Sequence, residues 1–61
     1  MRVKLLNNGG FDEILSHIEF PIIVNAEPYP ENNLIAVKNE ELGADNPDGH
    51  FLFYPCEYEV I

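Results

Sequence analysis

The sequence has very few of the residues that small proteins use to reinforce their folds. It contains one cysteine and no tryptophan in 61 residues, and its two histidines and one cysteine do not match a structural zinc spacing. An internal disulfide is therefore excluded, and we predict no metal site and no cofactor. A domain of this size buries only about 60% of its unfolded surface. We therefore expect marginal stability, and a homodimer would be one way to enlarge the core.

The sequence also lacks a long apolar run and a secretory leader. Its hydrophobic content of 46% and charged content of 23% are typical of a folded globular chain. The single cysteine is typical of a reducing compartment. These features predict one soluble domain, residues 1–61, in the cytoplasm.

Basic residues are the scarcest charged type. Three lysines and arginines stand against eleven acidic residues, for a net charge of −8. Binding to nucleic acid or to an anionic membrane requires a basic surface, so the sequence predicts neither. Two interpretations remain open: the acidity keeps a small domain soluble, or it complements a basic partner protein and, at the extreme, imitates the phosphate array of DNA.

Short β-strands with turn signals about every ten residues dominate the pattern. We predict strands at Arg2–Leu6, Pro21–Ala26, Leu34–Lys38 and Phe51–Tyr54, the last of them covered on both faces because it is continuously apolar. After Pro55, Cys56 alternates with Tyr58 and Val60, which predicts a final strand with Cys56 as a small buried side chain.

Two segments are ambiguous. Residues 11–18 fit one or two helical turns or a folded loop, and in either case their apolar residues should join the core: Phe11, Ile14, Leu15 and Ile18. Residues 39–42 fit a single helical turn or a tight bend. Leu42 and Ala44 are then expected to begin the next strand, before the loop Asp45–Gly49.

The end of the chain resembles the closing segment of Src-homology-3 (SH3) domains. Over Leu52–Ile61 a strand leads into a proline-led 3-10 turn, a tyrosine follows three residues later, and a short strand ends the segment; the matching points are Pro55 and Tyr58. The resemblance implies a mainly β fold: a small SH3-like barrel of about five short antiparallel strands with one short helical turn. The family's groove for proline-rich ligands depends on a tryptophan, which this sequence lacks, so the resemblance does not imply that activity.

No catalytic constellation is evident. The loop Asp45–Gly49 lacks the spacing and the distal glutamate of a calcium loop, and Cys56 has Glu57 rather than a cation beside it. His17 and His50 are interpreted as surface or turn residues. The sequence therefore predicts that the protein is not an enzyme; a metal-dependent enzyme would require His17, His50 and Asp48 to converge.

By exclusion and charge, the sequence predicts a domain that binds another protein with a basic surface. Carboxylates would set approach and orientation while tyrosines supply contact area, and the predicted binding residues are Tyr29, Asp45, Asp48, Glu57, Tyr58 and Glu59. Compact acidic domains of this kind are typical of phage or mobile-element proteins that inhibit a host nucleic-acid-handling protein. The alternative is a structural or homo-oligomerising domain that associates through an apolar patch formed by Tyr29, Tyr54 and Ile61.

Overall fold

A computed structural model describes residues 1–61 and is mainly β, as predicted. One short helix, α1 (Asn39–Leu42), follows the fourth strand, and a 3-10 turn, Pro55–Glu57, precedes the last. The six strands are β1 (Arg2–Leu5), β2 (Ile22–Asn25), β3 (Glu27–Pro28), β4 (Ile35–Lys38), β5 (His50–Phe53) and β6 (Tyr58–Val60).

The strands form two antiparallel sheets of three strands each, in the orders β2-β1-β6 and β3-β4-β5. Only Ala26 separates β2 from β3, so one continuous stretch of chain contributes to both sheets. The closed barrel is not confirmed, because the strand pairing joins the strands into two separate sheets and not into one ring.

The core lies between the buried faces of the two sheets. Alternation along each strand places every second side chain inside: Val3 and Leu5 of β1, and Phe51 and Phe53 of β5, are fully buried. The buried residues are all apolar, and they are Val3, Leu5, Leu15, Val24, Ala26, Ile35, Val37, Leu42, Phe51 and Phe53. The strands thus stabilise each other through one shared apolar interior.

The long segment between β1 and β2 is a folded loop of successive turns and not a regular helix. The Leu15 N–H donates to the Phe11 carbonyl oxygen at 3.0 Å, and the Ile18 N–H donates to the Leu15 carbonyl oxygen at 3.1 Å. Leu15 is buried, while Phe11, Ile14 and Ile18 are partly buried against the core. The prediction that these four residues join the core is confirmed.

Three expectations about the second half of the chain are wrong. Leu42 and Ala44 do not begin a strand: Leu42 ends α1, and β5 begins at His50. Tyr54 lies beyond β5 and is 58% exposed, and Leu52 is half-buried, so the aromatic run is fully covered on one face only. Cys56 is exposed, because the 3-10 turn after Pro55 interrupts the alternation that placed it inside.

Candidate partner-binding surface

Tyr58 connects the start of β6 to the turn between β3 and β4. Its side chain is half-buried, and its hydroxyl donates a hydrogen bond of 2.9 Å to the Asn33 carbonyl oxygen. Asn33 stands in a left-handed conformation, with φ of 58°, which asparagine adopts more easily than most residues. The hydroxyl is therefore engaged within the molecule, and the exposed part of the ring is what a partner could contact.

Glu57 has an internal partner as well. Its Oε1 accepts a hydrogen bond of 2.9 Å from the Tyr54 N–H, and its own N–H donates to the Tyr54 carbonyl oxygen at 2.8 Å. The two bonds close the 3-10 turn from both sides, in the manner of a capping box. Glu57 is half-buried, and its carboxylate stabilises this turn in addition to carrying charge.

Glu59 is exposed on β6, and the strand register places it directly opposite Lys4 of β1. Opposite charges at such cross-strand positions attract each other weakly. Arg2 occupies the same face of β1 two residues earlier, opposite Ile61, because residues two apart on a strand share a face. Two of the three basic residues therefore lie beside β6.

Tyr29 follows β3 and is half-buried. Its N–H donates to the Leu34 carbonyl oxygen at 2.9 Å, and its ring centroid lies 6.0 Å from that of His50. His50 is the first residue of β5 and pairs with Lys38 on β4. The Tyr29 side chain thus lies across the outer face of the β3-β4-β5 sheet.

Asp45 and Asp48 are exposed in the loop between α1 and β5. Asn39 holds this loop: its N–H donates to the Gly49 carbonyl oxygen at 3.2 Å, and its Nδ2 donates to the Asn46 carbonyl oxygen at 3.0 Å. The Asp48 N–H donates to Asn46 Oδ1 at 3.1 Å, the geometry of an Asx turn. Neither aspartate carboxylate has a hydrogen-bond or ion-pair partner, so both charges face solvent.

The six predicted residues form two groups. One is the consecutive set Glu57, Tyr58 and Glu59 at β6; the other is the loop with Asp45 and Asp48, and Tyr29 approaches this loop through its contact with His50. No hydrogen bond or ion pair joins the two groups.

An open depression of about 340 Å³ lies where the chain passes from β2 to β3. Its polar groups already have partners: the amino group of Met1 donates to the Ala26 carbonyl oxygen at 2.9 Å, and Lys38 Nζ lies 3.6 Å from Glu27 Oε1. Glu41 Oε1 accepts the N–H of Asn25 at 3.0 Å. Because these polar groups are paired within the protein, the depression has few free hydrogen-bonding or charged groups for a ligand.

Reasoning from sequence placed Ile61 in an exposed apolar patch but did not identify Val60 beside it as exposed. Val60 is 63% exposed and Ile61 66% exposed. The alternation of apolar and acidic residues after Pro55 is visible in the sequence, but it does not reveal that this strand lies at the edge of a sheet.

The structure shows no group of three or more histidine, cysteine or acidic side chains that could hold a metal ion. His17 Nε2 lies 2.8 Å from the Leu42 carbonyl oxygen, whereas His50 lies beside Tyr29. None of the helices is long and apolar enough to span a membrane.

Comparisons of the chain with protein-family models, with curated proteins and with solved structures each returned no significant match. The case for a function therefore rests on the geometry and the charge of the chain itself.

Proposed function

We propose that the protein is a small acidic domain that binds another protein through that protein's basic surface. The observation that carries the proposal is the state of the carboxylates: of eleven acidic residues, ten are exposed and Glu57 is half-buried. A single ion pair, between Lys38 and Glu27, is present, and it is itself exposed. Nearly all of the negative charge is therefore directed to solvent and available to a partner.

The charge is dense for the size of the molecule. A net charge of −8 is spread over 3988 Å² of accessible surface, or one net negative charge per about 500 Å². The molecule measures 25 × 23 × 18 Å, and the Debye length is about 8 Å at physiological ionic strength. Its field therefore reaches outward by a sizeable fraction of its own diameter, enough to steer the approach of a basic protein.

Within this proposal the partner is a nucleic-acid-handling protein. Such proteins carry lysine and arginine patches that neutralise phosphates, and an acidic domain bound at such a patch would compete with nucleic acid and inhibit the partner. The exposed parts of the half-buried Tyr29 and Tyr58 rings would add contact area of the kind found at interface hot spots.

We further infer that the two sheets belong to an SH3-like arrangement. Three observations support this: β2 and β3 behave as two halves of one bent strand, β6 pairs with β1, and a proline-led 3-10 turn joins β5 to β6. The inference concerns the arrangement of strands and does not extend to recognition of proline-rich peptides.

The test is capture of partners from host lysate by the tagged protein, followed by competition. Retained proteins should be basic, be released by high salt, and lose bound DNA or RNA when the purified acidic protein is added. Retention of acidic proteins, or of basic ones that keep their nucleic acid, would contradict the proposal.

Charge-reversal variants identify the carboxylates that contribute to partner binding. The first variant combines Asp45→Lys, Asp48→Lys and Glu59→Lys; Glu57 is left unchanged because it closes the 3-10 turn. A control with the same net charge reverses three other exposed acids that have no internal partner, and these are Glu13, Glu19 and Glu31. We expect the first variant to lose binding and the control to keep more of it. Equal losses would mean that net charge alone, and not these residues, attracts the partner.

The alternative, a homo-oligomerising domain, is favoured by one observation: several large apolar side chains are exposed, namely Ile23, Tyr54, Val60 and Ile61. Sedimentation decides between the two. A monomer at all concentrations and salt conditions removes the alternative, and a dimer that forms without any partner supports it.

A further inference from the structure

The hydrogen bonds between β1 and β6 define which way each residue of β6 directs its backbone. The Leu6 N–H donates to the Glu57 carbonyl oxygen at 2.9 Å, and the Ile61 N–H donates to the Arg2 carbonyl oxygen at 3.1 Å. In an antiparallel ladder the bonded pairs alternate along the strand. Glu59 and Ile61 therefore direct their backbone groups to β1, and Glu57 directs its C=O there, while its N–H bonds to Tyr54.

It follows that the backbone groups of Tyr58 and Val60 point away from β1. β6 is the last strand of its sheet, so the outward N–H of Val60 has no neighbouring strand to bond. The N–H of Tyr58 follows the 3-10 turn Pro55–Glu57, whose i→i+3 pattern directs it towards the Pro55 carbonyl oxygen. An antiparallel strand on this edge would meet the N–H of Val60 and the C=O groups of Tyr58 and Val60, in the spacing of a regular ladder.

The other strand edges are less open. On β2, the outward N–H of Asn25 donates to Glu41 Oε1 at 3.0 Å. On β3, Pro28 has no N–H to offer. Next to β5, the N–H of Tyr54 donates to Glu57 Oε1 at 2.9 Å, and the outward residues His50 and Leu52 are half-buried. The other outward residue of β2, Ile23, is 53% exposed, but it lies between Pro21, which has no N–H, and Asn25, whose N–H is bonded. On β6, Val60 is 63% exposed and no side chain bonds to its backbone.

The side chains of β6 define what an added strand should carry on its inner face. Val60 lies opposite Val3 and Tyr58 lies opposite Leu5, so both side chains lie on the face that covers the core. Val3 and Leu5 are fully buried, whereas Val60 is 63% exposed. An apolar side chain on a neighbouring strand would cover Val60 and extend the core by one strand.

The opposite face of β6 defines the charge of an added strand. Along this face, Lys4 on β1 is followed by Glu59 on β6, so a basic residue on the next strand would continue the alternation of sign. Pairing of the β6 edges of two copies of this chain would instead place like charges opposite each other. If Tyr58 paired with Val60 of a second copy, Glu59 would lie opposite its own counterpart, and like charges at this position destabilise a strand pair.

We propose that β6 accepts an extended segment of the partner as an additional antiparallel strand, in which apolar residues that cover Val60 alternate with basic residues beside Glu59. This is recognition by strand addition, in which the main chain supplies affinity and alternate side chains supply specificity. It rests on the proposed function, since it gives the basic partner a binding edge and a sequence pattern.

The pattern yields a matched pair of peptide probes. In a short peptide of alternating lysine and valine, the valines that lie opposite Tyr58 and Val60 would exchange backbone hydrogen bonds with them, whereas the amides of the lysines would point outward. N-methylation of the valine amides should therefore weaken binding about tenfold or more. N-methylation of the lysine backbone amides, with identical charge and composition, should leave binding nearly unchanged.

Amide hydrogen exchange by NMR gives a second readout. In the free protein, the amide of Val60 should exchange rapidly, while the amides of Glu59 and Ile61, bonded to β1, exchange slowly. Saturation with the alternating peptide should slow the exchange of Val60 severalfold. Val60→Pro, which removes an N–H that the fold does not use, should leave the protein folded and weaken its binding of the alternating peptide severalfold, because the valine carbonyl opposite residue 60 loses its donor.

The outcomes distinguish strand addition at the β6 edge from charge attraction alone. Salt-sensitive binding of both N-methylated peptides with equal affinity, and no protection at Val60, would overturn strand addition while leaving the attraction to basic partners intact. A lack of binding by the alternating peptide and by a basic peptide of scrambled order, both at low salt, would overturn the proposed function together with the edge. Protection of the Val60 amide in the free protein would overturn the edge alone.

Discussion

Gly9 stands where the turn after β1 meets the aromatic core, and it has no room for a side chain. Its φ is +63°, and a Cβ added there would lie 2.8 Å from Cε2 and 2.9 Å from Cδ2 of Phe53. The Phe53 ring is fully buried, and the ring of Phe11 lies against it with centroids 6.2 Å apart. The ring therefore cannot move aside freely, and we expect Gly9→Ala to destabilise the protein.

A matched control isolates the contribution of the contact. Gly43 has nearly the same backbone conformation, with φ of +59°, but its added Cβ would meet only His17 Nε2 at 3.9 Å, an ordinary contact. Both alanine variants carry the left-handed strain of about 1–2 kcal/mol, offset in part by the lower entropy of the unfolded chain. Only Gly9→Ala adds overpacking, which costs about 1–3 kcal/mol.

Urea denaturation measures the difference directly. A chain of 61 residues has a free energy of unfolding of about 3–9 kcal/mol, so Gly9→Ala should remove a large fraction of it. Its melting temperature should fall below that of Gly43→Ala by about 4–8 °C for each kcal/mol of difference. If the two variants lose the same free energy of unfolding, the turn does not press against the Phe53 ring and the packing argument is refuted.

Three further predictions concern the loop, the tyrosine bond and the charge. Leu15→Ala should lower the free energy of unfolding by about 2–5 kcal/mol, because Leu15 is buried. Ser16→Ala, at the exposed neighbouring position, should change the free energy of unfolding by no more than about 0.5 kcal/mol. Similar urea midpoints for the two variants would show that the loop is not part of the core. Tyr58→Phe removes the bond to Asn33 and should cost about 0.5–1.5 kcal/mol, measured in the same titration, and a more stable variant would contradict the assigned bond. Added sodium chloride should raise the melting temperature, because the net charge of −8 repels itself and salt screens that repulsion; a steady fall with salt would show that the exposed acids stabilise the fold through ion pairs.

Short-range patterns predicted most of the strands, because alternation and turn residues act over a few positions. Arg2–Leu6 and Leu34–Lys38 differ from the observed strands by one residue at one end. The failures arose where a pattern continued through a change of backbone. Cys56 alternates with Tyr58 in sequence, but the turn at Pro55–Glu57 rotates its side chain into solvent.

The candidate surface was harder to predict, since it depends on which strands become neighbours. The proximity of Glu59 to Lys4 follows from a strand register that joins the two ends of the chain, and no local pattern encodes it. Glu57 reads as one more acidic residue in the sequence, yet in the structure it closes a turn. The predicted residues were chosen for charge and aromaticity, and both properties leave spatial grouping undetermined.

The passage from β2 to β3 affects how the molecule can unfold. Residues 22–28 pair first with β1 and then with β4, and Ala26 at their junction is buried. Separating this segment from one sheet would displace the strand that it contributes to the other sheet. Neither sheet can therefore unfold while the other stays intact. The domain should therefore lose both sheets in a single cooperative transition, and every slowly exchanging amide of β1 and β4 should report the same opening free energy.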